Sequence, residues 1–488
     1  MIMFSQTVRA PTALPNYIDE YTIPTANSAP LAIAADPMGR IWFTESNSSM
    51  LGMFDPTNRT FKEYVVPGVG DMWGITVDNG GYVWLTQYSG KGSVSPGGAV
   101  VSGGHGRLLR FDPANANFTI IDIPTVGSFP FRLITDSQGR VWFTELLGNK
   151  LGIYDPRAHG IQEYPAPSSF AGPADLAFDS NGNVWFTEAY NQSLAMFQPI
   201  TKKFVEYHLS TNDPSRFVSS PIGISVDQNG HVWFADHGGS WIGEFDPSSQ
   251  TLTRYPGAPP QSAGYGIAIP NGLLIDKEGR VWFSEHWGNA IGYVDPTAHR
   301  IVEFPIPTGT ICTALWIAEA PNGDIWFTEW SANKIGVVHS SLPIPVTFGA
   351  SESHLTLAAG GGTQLSLTMK SSSDLSGNGT LKHSWSSYTQ TDIAVTYSPE
   401  YPSLGNSANS TIQAQIQVSD KVTPGNYTLT VGIDLGRVRV WTILPTEVTP
   451  PPAQSGFSVA ELVIMISVTG VIATILLLLR WKLRRGSV

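Results

Sequence analysis

Cysteine is almost missing: Cys312 is the single one among 488 residues. Its solitude excludes an intramolecular disulfide, and it excludes zinc or iron–sulfur sites built from several thiolates of one chain. Its apolar surroundings in sequence read as those of a buried structural thiol. Charge is thin as well, with Asp, Glu, Lys and Arg at 14% of residues and a formal net charge of -11. No concentrated basic face is visible outside the final few residues, which argues against a phosphate-tracking surface and a nucleic-acid partner. There is no Walker loop, no dinucleotide loop and no legible Ser-His-Asp constellation. Long apolar runs are missing too, with one exception near the C-terminus.

What the chain has is glycine, proline and aromatic rings. Its 49 Gly and 36 Pro fit a turn-rich β protein better than a helical one, and 15 Trp with 22 Phe supply ample material to bury. The stretch Gly139-Arg140-Val141-Trp142-Phe143-Thr144-Glu145 recurs in close variants, with its tryptophan at 42, 84, 142, 185, 233, 282 and 326. Successive separations of 42, 58, 43, 48, 49 and 44 residues lie in the range of propeller blades. Each copy has an apolar strand ending in Asp-x-x-Gly, the Trp strand, a strand such as Lys150-Leu151-Gly152-Ile153-Tyr154, and a strand such as Ile161-Gln162-Glu163-Tyr164. Four short strands per repeat make one blade, and each Trp-Phe pair is expected to pack against the next blade. The last copy lacks its outer strand, and an extra one, Glu20-Tyr21-Thr22-Ile23-Pro24, precedes the first Trp. The fold class is therefore all-β: a seven-bladed propeller over 16–340, closed by the N-terminal strand.

The refrain stops after Pro345. Period-two segments such as Leu365-Ser366-Leu367-Thr368-Met369 and Ile393-Ala394-Val395-Thr396-Tyr397 then argue a β-sandwich over 346–445. Pro424-Gly425-Asn426-Tyr427-Thr428-Leu429-Thr430-Val431 resembles the late turn and strand of immunoglobulin-like modules. A Pro-rich linker spans 446–461, an uncharged apolar run fills 462–479, and 480–488 is basic. An eighteen-residue helix spans about 27 Å, near the thickness of a bilayer, and the basic tail is expected to stay cytoplasmic. The resulting expectation is a single-pass cell-membrane protein anchored in the lipid bilayer, with propeller and sandwich extracytoplasmic. The first eight residues lack the apolar core of a secretory signal, so either the true start lies upstream or the C-terminal segment directs export.

Chemistry is expected at one rim. The residue after the Trp-Phe-Thr strand is acidic in six copies, namely Glu45, Glu145, Glu188, Asp236, Glu285 and Glu329, and equivalent positions in a ring converge on one end. Such acids read either as a crown relieved by protonation, an Arg, or Mg2+ or Ca2+, or as acceptors for loop amides. Blades five to seven break the symmetry. His237 and His286 follow Asp236 and Glu285, and Trp287 and Trp330 add flat surfaces. Adjacent strand residues point to opposite faces, which separates each acid from its His. Arg132 is a cation that can neutralise acids or clamp an anionic ligand, and it approaches the rim with Asp71, Trp73, Asp175 and Asn271. Ligand contact is thus expected from Arg132, His237, Asn271, Trp287 and Trp330. A metal site would draw on Glu285 and Glu329, with His286 as proton acceptor.

With Asn149-Lys150-Leu151-Gly152 and Gly323-Asp324-Ile325-Trp326-Phe327-Thr328-Glu329 added, the repeats resemble the streptogramin B (virginiamycin B) lyase family over about residues 20 to 340. That resemblance implies a seven-bladed propeller which opens a cyclic depsipeptide at its ester by elimination, with Mg2+ and a His base. Aligned on the Trp-Phe pairs, it implies Thr313 at the family's metal-binding Glu, Leu315 at its base His and Asn271 at another His. Leucine cannot take a proton. The leading expectation is therefore a binding propeller for a peptide, a saccharide or a surface protein, and the alternative is a metal-dependent lyase or hydrolase acting on a cyclic ester, depsipeptide or lactone.

Overall fold

The structure is a computed structural model that describes residues 14–89, 104–209, 220–239, 241–256, 268–309, 312–372, 375–385, 392–405 and 410–451. Seven antiparallel sheets follow the seven tryptophans, and the first strand of each neighbours the first strand of the next in cyclic order. Sheets one to six take their four propeller strands consecutively along the chain. Sheet seven combines Ala314–Glu319, Ile325–Glu329 and Lys334–Val338 with Ile18–Thr22, which pairs from Ile18↔Val338 to Thr22↔Lys334. No first or last sheet is left with an open edge between them, and the architecture is a β-propeller.

One turn, repeated, explains the Asp-x-x-Gly-x-x-Trp spacing. Asp36, Asp78, Asp136, Asp179, Asp227 and Asp276 each accept backbone N–H groups two and four residues on. Each also accepts the indole N–H of its sheet's Trp, at 2.7–3.2 Å. The carboxylate thus fixes the hairpin and satisfies the polar atom of a ring whose body is buried against the next sheet, as in Trp42 with Phe111 at 5.7 Å. The seventh turn has Ala320 there and lacks this acceptor.

Beyond Pro345 two further sheets share one apolar core, in which Leu367, Ile412 and Ile416 meet Val431, Ile433 and Val440. One sheet runs Val346–Ala350, Gly362–Ser371, Ser410–Val418, Ile393–Ser398; the other holds Thr380–Trp385, Gly425–Asp434, Arg439–Thr449 and Leu355–Ala358. Its last strand continues to Thr449, four residues into the segment read as linker, because Val448 is buried and pairs with Gly425. The sandwich also joins the ring directly. Arg300 to Glu303, on the outer strand of sheet six, pairs with Thr442 to Arg439, so sheet six runs on into the sandwich. Among the described residues no helix is long and apolar enough to cross a membrane; the apolar run 462–479 and the tail 480–488 lie outside them.

Candidate functional site

The first strand of each sheet lines the centre and is bulged near the rim in six sheets, as where Pro130 pairs with Glu145 and Leu133 next with Phe143. A bulge leaves an N–H without its ladder partner. The hydroxyl of the Trp-Phe-Thr strand supplies the acceptor and then donates to the neighbouring sheet. Thr144 accepts from Arg132 N and donates to Ala174 O; Thr187 accepts from Asp175 N and donates to Ile222 O. Thr44, Thr86, Ser284 and Thr328 do the same, and Thr328 reaches Leu31 O, across the junction of sheets seven and one. Sheet five has Ala235 and no such hydroxyl.

The acids at the ends of these strands do not line the centre. Glu45, Glu145, Glu188, Asp236, Glu285 and Glu329 are all buried, correcting the reading of a crown open to the channel. Four of them meet a second glutamate on the outer strand of the same sheet: Glu45 with Glu63, Glu145 with Glu163, Glu188 with Glu206 and Glu329 with Glu20. Contact between two carboxyls is a hydrogen bond only when one of them holds a proton. Burial first, and the neighbouring acid second, push Glu45 up to about 7 and Glu145, Glu188 and Glu329 up to about 8. Burial pulls Glu163 upward, but Lys150 at 2.9 Å and the Thr125 hydroxyl and N–H together outweigh it and hold that partner below the usual carboxylate range. A small residue on the intervening strand clears the path, since a Cβ at Gly52 would strike the Phe43 ring and the Glu45 carboxylate.

Glu285 follows the pattern with a different relief. Burial and then Glu303 push it up, opposed by Arg439 of the sandwich, whose Nη1 lies 3.4 Å from Glu303. The same guanidinium reaches Asp434 at 3.3 Å, and Asp434 holds Lys382 at 2.6 Å. Glu285 and Glu329 therefore belong to two separate networks, the second containing Glu20, Thr308 and Lys334. Among the described residues the only three His, Cys, Asp or Glu with ligand atoms within 4.8 Å of one another are Asp227, His231 and Glu244, on the hairpin-turn side of sheet five. The structure does not bring Glu285, Glu329 and His286 together as a cation site.

At the rim of sheets five and six the picture differs. Each acid turns inward and the next residue stays at the rim, where the His237 and His286 rings lie 5.8 Å apart between centroids. Burial pushes both imidazoles down to about 4, His286 adding to the effect on His237, so both are neutral at pH 7. Among the described residues, Nδ1 of His286 is buried without a hydrogen-bond partner. Trp287 meets the His286 ring edge-on at 6.2 Å, and Trp330, on the rim of neighbouring sheet seven, is 45% exposed. Below the rim, the Arg132 guanidinium lies 3.8 Å from the centroid of the Trp316 ring and donates through Nε to Asp175 at 3.3 Å. Asn271 donates to Leu315 O at 2.9 Å. Trp316 was not singled out from sequence, although it stands at the bulge position occupied by Ala32, Gly74, Gly223 and Gly272 in four other sheets, a contrast visible in the aligned repeats.

The positions where the resemblance implies a metal and a base do not fit them. Leu315 is a buried hydrocarbon, the Thr313 hydroxyl is engaged with Ser331 at 2.7 Å, and the Asn271 amide is spent on a backbone carbonyl. Cys312 is buried, and burial pushes its thiol well above the ordinary range.

Residues 105–269 match the virginiamycin B lyase family. Virginiamycin B lyase from Staphylococcus aureus is similar in structure at 22% identity, covering 66% of this chain and 98% of its own, with a TM-score of 0.55. A streptogramin B lyase structure is similar at 25% identity, 66% of this chain, 97% of its own and a TM-score of 0.56. A catalytically inactive form of the S. aureus enzyme with quinupristin matches at 22% identity, 66% of this chain, 98% of its own and a TM-score of 0.55. No curated protein matches the chain in sequence. The chain carries a streptogramin lyase-like β-propeller.

Proposed function

We propose that this chain is a membrane-anchored extracytoplasmic binding protein: a seven-bladed streptogramin lyase-like propeller, joined to an immunoglobulin-like sandwich and held to the bilayer by 462–479. The ligand sits at the mouth over sheets five to seven and is peptide-like. The observation that carries this reading is the neutral imidazole pair, His237 and His286, with an unpartnered Nδ1 on His286. Neutral imidazole both donates and accepts, which suits amide groups, and Trp287 and Trp330 offer faces for apolar or aromatic side chains. Arg132 and Asn271 form the floor. Elimination chemistry is disfavoured because the base position holds Leu315 and the two acids proposed for a cation are each committed within their own sheet.

Quinupristin, the compound in the structure of the inactive lyase, is the probe. Titrated calorimetrically into the full chain in detergent with a chelator present, it is expected to bind saturably, more weakly to His286→Ala and Trp330→Ala, and to be recovered intact by mass spectrometry. Ring-opened product that appears with Mg2+ and vanishes in His286→Ala would establish the lyase instead. Absence of binding would remove the peptide-ligand reading.

A further inference from the structure

Among the described residues, three buried hydrogen-bond donors around the centre of the ring have no acceptor: Nε1 of Trp73, Nε1 of Trp316 and Nη1 of Arg132. They belong to one set of touching side chains. Arg132 lies over Trp316, Phe131 meets Trp316 edge-on at 6.1 Å, and Trp73 stacks on Phe131 at 5.1 Å. Three main-chain acceptors of this layer are already in use. Phe131 O takes the Thr86 hydroxyl, Leu315 O takes Ser284 and Asn271, and Leu31 O takes Thr328. The carboxylate of Asp175 is also occupied, receiving Arg132 Nε, Leu176 N and Ile224 N. The belt of hydroxyls that joins the sheets thus takes up the carbonyls of Phe131 and Leu315, the residues next to Arg132 and Trp316.

We infer that Arg132 and Trp316 form an anion subsite at the floor of the mouth, taking a single carboxylate or an equally small monovalent anion. An anion brings acceptors alone to these donors. The Arg132 side chain keeps 14% of its surface open. Burial pushes the Asp175 carboxyl up against the opposing pull of Arg132. The subsite rests on the ligand-binding reading and names the group on the ligand that would reach the floor: a carboxylate beyond the part held by the imidazoles and indoles.

Fluorine NMR of the full chain in detergent tests it, with trifluoroacetate, N-trifluoroacetylglycine and N-trifluoroacetylglycinamide as probes. The first two are expected to bind saturably and the amide at least about tenfold more weakly, since a charge-assisted contact is worth that much. Tighter binding of the glycine derivative than of trifluoroacetate assigns the site to a ligand carboxylate, and equal binding to a free anion. Arg132→Met is expected to weaken both about tenfold or more. Trp316→Phe keeps a ring under the guanidinium while deleting one donor, is expected to weaken both severalfold, and carries the test if Arg132→Met does not fold. No saturable binding of either anion, or equal binding of acid and amide, overturns the inference. Quinupristin binding that persists in that event removes the anion subsite and leaves the rim reading standing; loss of both removes both.

Discussion

Sheets four and five are neighbours built from the same repeat, and they divide it into two parts. Both keep the turn that makes a sheet, Asp179 with Trp185 in one and Asp227 with Trp233 in the other. Only sheet four keeps the parts that join strands and sheets beneath the rim. Its Thr187 links two sheets and its Glu188 shares a proton-dependent contact with Glu206, where sheet five has Ala235, and Asp236 with Arg254 across the intervening strand. Sheet five also replaces the arginine that clamps the turn in sheets one, three and six with His231, bonded to Glu244 at 2.8 Å. The imidazole pair gathers at the junction of this sheet with sheet six. Folding residues and joining residues can therefore vary independently, and the ring is least alike where the mouth is richest in chemistry.

The largest expected effect tests the shared half. Trp185→Ala and Trp233→Ala should each cost about 3–5 kcal/mol in denaturant unfolding, because each ring is buried and bonded alike; a large gap between them would break the equivalence of the two turns. Next comes the belt. Thr187→Ala should cost about 1–3 kcal/mol by stranding Asp175 N and Ile222 O, whereas Ala235→Thr should gain about 0.5–1.5 kcal/mol by supplying the missing bridge. Destabilisation by Ala235→Thr would show that sheet five has closed over the space.

The pH dependence is smaller and has two limbs of opposite sign. Glu45, Glu145, Glu188 and Glu329 are pushed up from 4.5 to about 7 or 8, so the folded chain keeps protons that the unfolded chain releases. Their contribution is full below about 4.5 and is lost as pH rises through 7 and 8. Melting temperature should fall from pH 6 to pH 9, less steeply in Glu188→Gln. His237 and His286 are pushed down from 6.5 to about 4, so their contribution is present above 6.5 and is lost as pH falls through about 4. His237→Asn should shallow that acid limb, the smallest of these effects.

The propeller was legible because one tryptophan per repeat sits at one position and because Asp, Gly and Trp keep their spacing. The Ile18–Thr22 pairing was legible for a related reason, since Glu20-Tyr21 has the composition of an outer strand that the seventh copy lacks. The acids were harder. Each recurrent Glu was visible, and so was the Glu of the outer strand, but their meeting depends on a third strand between them that carries Gly or Ala. A periodic glycine flanked by two periodic acids is the signal that could have revealed it. The ladder from Arg300–Pro305 to the sandwich joins segments far apart in the chain, each of which reads as an ordinary strand. Trp316 shares the bulge column with Ala32, Gly74, Gly223 and Gly272 but also with Arg132 and Asp175, so its size there marks it only once the repeats are aligned.

Carbon NMR of the full chain labelled at glutamate Cδ, titrated from pH 4 to pH 10, is the most direct test of where the acids belong. Titrations near 7 for Glu45 and near 8 for Glu145, Glu188 and Glu329, unmoved by millimolar Mg2+, would place them inside the sheets as proton-sharing pairs and leave the mouth to the imidazoles. Ordinary titration of all four below pH 5, or a shift of Glu285 and Glu329 together on adding Mg2+, would contradict it.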